Sequence, residues 1–411
     1  MTSEAAATSR QAVTLDLASP PQPAMEDRGS RSFGRQAVID TLSRPGARAG
    51  LVWVFFLIVI AVFAPFIANS MPLAVKTADG WSSPLLKTLT PTDVLLVIAF
   101  LTAVALGLSR RWSFGKSVLI LLCVMLVATP ICLLLVRPPQ LIEYDAYRRM
   151  QASGQVQSVV WTLIPYSARD RNRDVAGVDH PSAPTGRHWF GTEQNGADML
   201  SQMIHASRIA LSIGFVATGI AVLIGCTIGG FMGYFAGWVD LLAMRLIEII
   251  EAVPVLLVLL AVAALFGPNL YLMMVVIGLL RWTGDARFIR AEFLKLRRQD
   301  FVQAAIASGL PLRSIIFRHM LPNGIAPVLV SSTFGVGVAI LLESTLSFLG
   351  LGDPDRPSWG QLLNQARSGG ASFHWWIAIY PGLAIFLTVF SYNLIGQSVR
   401  DAIDPKLRKR D

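Results

Sequence analysis

An apolar run long enough to cross a bilayer constrains a chain more than any other feature, because about 20 residues of helix span the hydrocarbon. Leu51 to Ala68 is such a run, about 18 residues without a charge. Seven more follow: Val94–Leu108, Val118–Val136, Ile209–Phe235, Leu246–Phe266, Leu270–Trp282, Ile325–Leu349 and Trp375–Gly396. Val94–Leu108 is short and reads also as an interfacial segment. The composition agrees with spans: 53% of residues are hydrophobic and 15% charged, where soluble domains average about 25% charged. The fold expected is all-α, a polytopic membrane protein of eight spans.

Lys and Arg retained on cytoplasmic loops fix the orientation. Arg28, Arg31, Arg35, Arg44 and Arg48 precede the first span, Ser109 to Lys116 forms a basic link, and Lys406, Arg408, Lys409 and Arg410 close the chain. Both termini therefore read as cytoplasmic, and residues 94–136 as a hairpin entering from outside and returning there. The net charge of +9 follows from these loops and does not call for nucleic acid. Residues 1–48 read as a disordered cytosolic tail. A transit peptide competes with that reading, against which Glu4, Asp16, Glu26 and Asp27 count. Residues 49–136 hold the first span and the hairpin, 137–207 an external segment with an amphipathic helix, and 208–411 a transmembrane core with a cytoplasmic loop at about 285–322.

Several chemistries are excluded. Cys123, Cys132 and Cys226 lie inside apolar runs without a C-x-x-C pair, which supports neither a disulfide framework nor a zinc site. Gly115-Lys116-Ser117 looks like the tail of a phosphate loop, but the glycine it needs upstream is Arg110 and no strand precedes it. The chain thus carries no ATPase of its own. His188, Glu193 and Asp198 match no standard ligand spacing, so no metal is expected.

The stretch Phe301 to Asn323 is polar-flanked and lies between spans. Gln303, Ala304, Ala305 and Ser308 favour a tight helical turn that Gly309 can stop in a left-handed conformation. Pro311 suits the start of a second helix, whose Leu312, Ile315 and Ile316 fall on one face beside Arg313, Arg318 and His319, and which Pro322 should end. Such a peg can dock a soluble partner, or it can be an ordinary amphipathic loop at the membrane surface. Gly225, Gly229, Gly233 and Gly237 recur every fourth residue, which lets another helix approach, either as a sliding contact or as simple close packing. Glu248 pairs with Arg245 at i, i+3 or marks the solute path. Glu343 lies inside a span, where an acid faces a cavity or takes a structural hydrogen bond.

The run Gln303-Ala304-Ala305-Ile306-Ala307-Ser308-Gly309, then Ile316 and His319-Met320-Leu321-Pro322-Asn323, resembles the EAA loop of ABC importer permeases, with Gln303 where that family carries Glu. Glu343 to Gly352 (ESTLSFLGLG), His188 to Asp198, Met244 to Pro254, Pro357-Ser358-Trp359-Gly360 and Arg400 to Pro405 resemble further segments of the oligopeptide/dipeptide branch, in order. The resemblance implies a six-helix type I importer permease core, with the 94–136 hairpin an addition. It implies a homologous second permease, cytoplasmic ABC ATPase subunits, an extracytoplasmic substrate-binding protein and a bacterial inner membrane, with no cofactor and no catalysis by this chain. Gln303, Ala304, Ala305, Gly309, Ile316, His319, Leu321 and Pro322 would contact the ATPase, and Glu343 and Glu248 would lie on the path. Peptide is the family-level substrate, with nickel, opines and glycosides in the wider branch. A secondary transporter is the alternative, separated by its independence of ATP.

Overall fold

A computed structural model describes residues 33–403, apart from 78–79, 110–112, 140, 172–180, 355 and 369–372. Helix α1 (Phe33–Ser43) leads through Arg44 into α2 (Pro45–Ile67). Strands β1 (Ala74–Thr77) and β2 (Gly80–Ser82), helices α3 (Pro84–Thr88), α4 (Pro91–Leu108), α5 (Phe114–Leu135) and α6 (Ala146–Ala152), and strand β3 (Ser158–Val160) follow. Then come α7 (Met199–Phe235), α8 (Gly237–Ala252), α9 (Val255–Phe266), α10 (Leu270–Leu296) and α11 (Asp300–Ala307). The chain continues through α12 (Leu312–Ser314), a wider π-type segment at Ile315–Met320, and α13 (Leu321–Gly324). It ends with α14 (Ala326–Leu346), a second π-type segment at Ser347–Leu351, α15 (Trp359–Ser368) and α16 (Trp375–Ile403).

Among the described residues, six helices are long and apolar enough to cross a membrane: α2, α4, α5, α7, α14 and α16. Leu246 to Phe266, expected as one span, is instead α8 and α9 bent by 71°. Pro254 has no N–H to give and crowds the preceding turn, and Val253 before it is extended at φ −95°, ψ 123°. Leu270 to Trp282 was expected to lead into a cytoplasmic loop from about residue 285. The helix runs on to Leu296 because Ala286, Ile289 and Phe293 are fully buried and extend its packed face beyond the apolar run. The expected tail 1–48 is helical from Phe33, where α1 packs on α16 and Arg44 pairs with Asp401 at 2.6 Å; residues 1–32 lie outside the described part.

Helices α7 and α10 pack against one another along their length. A Cβ at Gly225, Gly229 or Gly233 would come within 2.6 Å of α10 atoms, and one at Gly278 within 2.8 Å of α7 atoms. Small residues here replace side-chain layers with direct backbone approach. Gly237 does not belong to this ridge: α7 ends at Phe235, and Gly237 opens α8 at φ 55° with nothing near its missing side chain. Around that pair, α2, α14 and α16 close a core of Val54, Leu57, Ala210, Ile340, Ile385 and their neighbours. The α4–α5 pair is peripheral, with almost none of either apolar run buried.

The described residues of 68–90 and of 137–198 fold together as a cap at the N-terminal end of α7. Its small antiparallel sheet runs β2-β1-β3, with Val75 opposite both Ser82 and Val159. These strands are too short for hydrophobic alternation to announce them in the sequence.

Candidate functional site

The segment 300–324 forms a ledge at the far end of α7. Gly309 sits at φ 70° and turns the chain between α11 and α12, a conformation that L-residues adopt only at a cost. Val302, Ala305, Ile315, Ile316 and Met320 are buried against Phe293, Leu296 and Cys226 of α10 and α7. Two of the expected coupling residues, Ala305 and Ile316, are thus anchors rather than contact surface. Gln303, Ala304, Gly309 and Pro322 are exposed, and His319 and Leu321 half-buried. Gln303 is tied back to the Arg297 carbonyl at 2.7 Å. The exposed side carries a groove of about 510 Å³ lined by Pro311, Arg313, Ser314, Phe317, Arg318 and Pro322.

Pro322 does not end the helix as its identity suggested. The π-type turn widens the backbone so that Leu321 N–H donates to the Ile316 carbonyl, five residues back. This spares Pro322 the clash it would meet in a regular helix, and the helical path continues to Gly324.

Glu343 is 6% exposed. Its carboxylate accepts from Ser347 Oγ at 2.7 Å and from Ser344 Oγ at 3.4 Å, and the Ser358 hydroxyl lies close by. Ser358 belongs to the Pro357-Ser358-Trp359-Gly360 segment, whose Gly360 lies so close to the Ser344 backbone that a Cβ would be 2.3 Å from its carbonyl oxygen. Trp359 is 2% exposed and donates to the Met203 carbonyl at 3.2 Å. Two segments separated in sequence thus meet at one buried carboxylate, the arrangement of the structural hydrogen-bond reading. Glu248 is exposed and paired with Arg245 at 2.6 Å.

In the cap, His188 Nδ1 lies 2.8 Å from Asp198 Oδ1, and the other Asp198 oxygen accepts from Ser201 N–H at 2.8 Å, capping α7. Glu193 is turned inward and accepts from the N–H groups of Asn195 and Ala197. Burial raises the Glu193 carboxyl above its ordinary value, against the pull of those donors. Trp376 Nε1 donates to the Thr192 carbonyl at 3.1 Å, joining the cap to α16.

One residue absent from the sequence-based set ties these parts together. Pro65 in α2 leaves the Ala61 carbonyl without its helical donor. Arg208 of α7 supplies one, with Nε at 2.5 Å from that oxygen and Nη2 at 3.1 Å from Val62 O. Its Nη1 pairs with Asp93, which also closes a capping box with Thr90 at the start of α4. The proline inside an apolar run was the signal available for this, since a freed carbonyl in hydrocarbon needs a donor.

Comparison with known proteins matches two stretches of the chain. The profile described as "Binding-protein-dependent transport system inner membrane component" matches residues 201–409, just over half of the 411. A second, "N-terminal TM domain of oligopeptide transport permease C", matches residues 32–79, so α4 and α5 fall between the two matches. The dipeptide transport system permease protein DppC of Bacillus subtilis is 37% identical over 283 residues, covering 66% of this chain and 88% of that protein. The namesake in Alkalihalophilus pseudofirmus is 38% identical over 226 residues, covering 55% and 74%. The oligopeptide transport system permease protein OppC of Haemophilus influenzae is 40% identical over 251 residues, covering 60% and 78%. A solved chain of the MetNI methionine ABC transporter covers 50% of this chain and 98% of itself at a TM-score of 0.40 and 15% identity, too low to argue from. With more than half the chain under one profile and relatives matched over most of their own length, the chain belongs to the family of binding-protein-dependent transport system inner membrane components.

Proposed function

We propose that this chain is the permease subunit of an ATP-driven importer of peptides, that it encloses the path together with a homologous second permease, and that separate ATPase subunits drive it through the 300–324 ledge. The ledge carries the reading. Its inner face is locked into α7 and α10, so a force on it reaches the spans, while its outer face offers Phe317 between Arg313 and Arg318. Apolar anchors ringed by cations suit a soluble partner. A nucleotide could bias the spans only by stabilising one state of that contact over another. The peptide assignment rests on the names of the relatives, each a dipeptide or oligopeptide permease.

The orientation follows the charges. The ledge lies beyond the basic second half of α10, on the cytoplasmic side, together with both termini; the cap faces outward, where a substrate-binding protein would deliver solute. Within this frame Glu343 is a rigid junction and Glu248 a surface ion pair.

Co-purification from detergent tests the coupling. Wild type should retain an ATPase subunit. Phe317→Asp should lose it while keeping the second permease, and Gly309→Pro should do the same by breaking the turn. If wild type recovers no ATPase, the importer reading fails and the secondary transporter takes its place.

A further inference from the structure

The bend between α8 and α9 faces α10 across a cavity of about 340 Å³, lined by Glu251, Val253, Pro254, Leu280, Arg281 and Thr283 among others. That volume lies within the range of about 300–1,000 Å³ typical of ligand sites. Most of the wall is apolar, and Glu251 is already paired with Arg287 at 2.5 Å.

Arg281 is the exception. It stands eleven residues into α10, at the depth of the spans, yet its guanidinium has no hydrogen bond or ion pair among the described residues. Asp285, one turn on, reaches it only through space and has the Ser331 hydroxyl close by. Across from it, Thr218 Oγ1 is buried without a partner. Gly335 of α14 packs against both: a Cβ there would be 3.2 Å from Thr218 Cγ2 and 3.4 Å from Arg281 Nη2, so only a glycine lets α14 approach this closely. A cation at membrane depth faces a cavity or a counter-charge. A guanidinium offers paired donors matched to a planar anion.

Resting on the transport reading above, we propose that this cavity is a carboxylate site on the solute path, with Arg281 as the residue that receives the carboxylate of a peptide. The broken helix supplies the opening, since Pro254 has no N–H with which to tie α9 back to α8. The site selects solutes with a free carboxylate over their amides.

The test uses the assembled transporter in vesicles, supplied with a library of tri- to pentapeptides and with its C-amidated counterpart, uptake being read by mass spectrometry. Wild type should prefer the acids. In Arg281→Gln uptake of the acids should fall about tenfold or more and uptake of the amides stay unchanged, with Arg281→Lys restoring part of the preference. Equal loss of both libraries, no loss of either, or loss of the second permease on purification overturns the proposal alone, the last by making that permease the counter-charge. Absence of ATP-dependent uptake by wild type overturns the peptide-importer reading and this site with it.

Discussion

Gly229→Ala puts one methyl group between α7 and α10 where there is no room for it. The new Cβ would sit 2.4 Å from the Ala286 carbonyl oxygen and 2.8 Å from Ala286 Cα. Restoring ordinary contact needs a separation of about 1 Å, and because both neighbours are backbone atoms no side chain can yield. A gap of that size forfeits between a quarter and a half of the dispersion energy of the contacts it opens, and the tight approaches at Gly225 and Gly233 would open with it. Overpacking costs about 1–3 kcal/mol, and backbone contact places this site at the upper end. Alanine offsets up to about 1 kcal/mol through helix propensity. The net expectation is a destabilisation of about 2 kcal/mol, roughly 30-fold in the unfolding equilibrium. Gly219→Ala is the matched control, on the same helix with nothing within 4 Å of the new methyl, and should stabilise by up to about 1 kcal/mol. Reversible unfolding in mixed micelles, titrated with a denaturing detergent, compares the two directly. If Gly229→Ala unfolds within about 0.5 kcal/mol of Gly219→Ala, the α7–α10 packing argument is wrong.

Three further outcomes follow from single contacts. Arg208→Met should destabilise by about 3–5 kcal/mol by stranding Asp93 and the Ala61 carbonyl, and the loss should be smaller in a Pro65→Ala background, where residue 65 regains its N–H; equal losses in both backgrounds would show that the freed carbonyl is not what Arg208 serves. Because the folded-state Glu193 carboxyl is raised, the native chain binds its proton more tightly than the unfolded one, so its contribution to stability declines as pH rises through and above the ordinary carboxylate range. Glu193→Gln should therefore gain on wild type between pH 4 and pH 7 in thermal melts, and a constant difference across that window would refute the assignment. Trp376→Phe should lose about 1–3 kcal/mol by leaving the Thr192 carbonyl unpaired, measured in the same unfolding series, with no change expected if water replaces the indole.

Spans with uninterrupted apolar runs, such as Leu51 to Ala68 and the later run within α16, were legible because hydrophobic length is a local property. The turn at Gly309 was legible for the same reason: one residue type carries the left-handed conformation. Pro322 misled because its local rule assumes a regular helix, and the preceding π-type turn, set by burial of Ile315, Ile316 and Met320, changes the rule. Gly237 misled because periodicity continued through a helix end that Ala236 at φ 52° marks only in three dimensions. Arg208 and Asp93 stand 115 residues apart, and no spacing argument links them. Glu343 could be read as an acid in need of a partner, but that Ser358 would lie beside it depends on how α15 folds back over α14.

Helix α7 joins the cap to the ledge without a break. Its first turn is held by Asp198 in the cap, and a Cβ at Gly230 near its other end would lie 3.7 Å from Ile316. At 37 residues it is about 56 Å of continuous helix, and a rod of that length is a lever. A tilt of about 10° around its capped end would carry the other end about 10 Å. A small rotation at the capped end is therefore geometrically amplified at the ledge, and an insertion or proline in the middle of α7 would disconnect the two ends while leaving each locally intact.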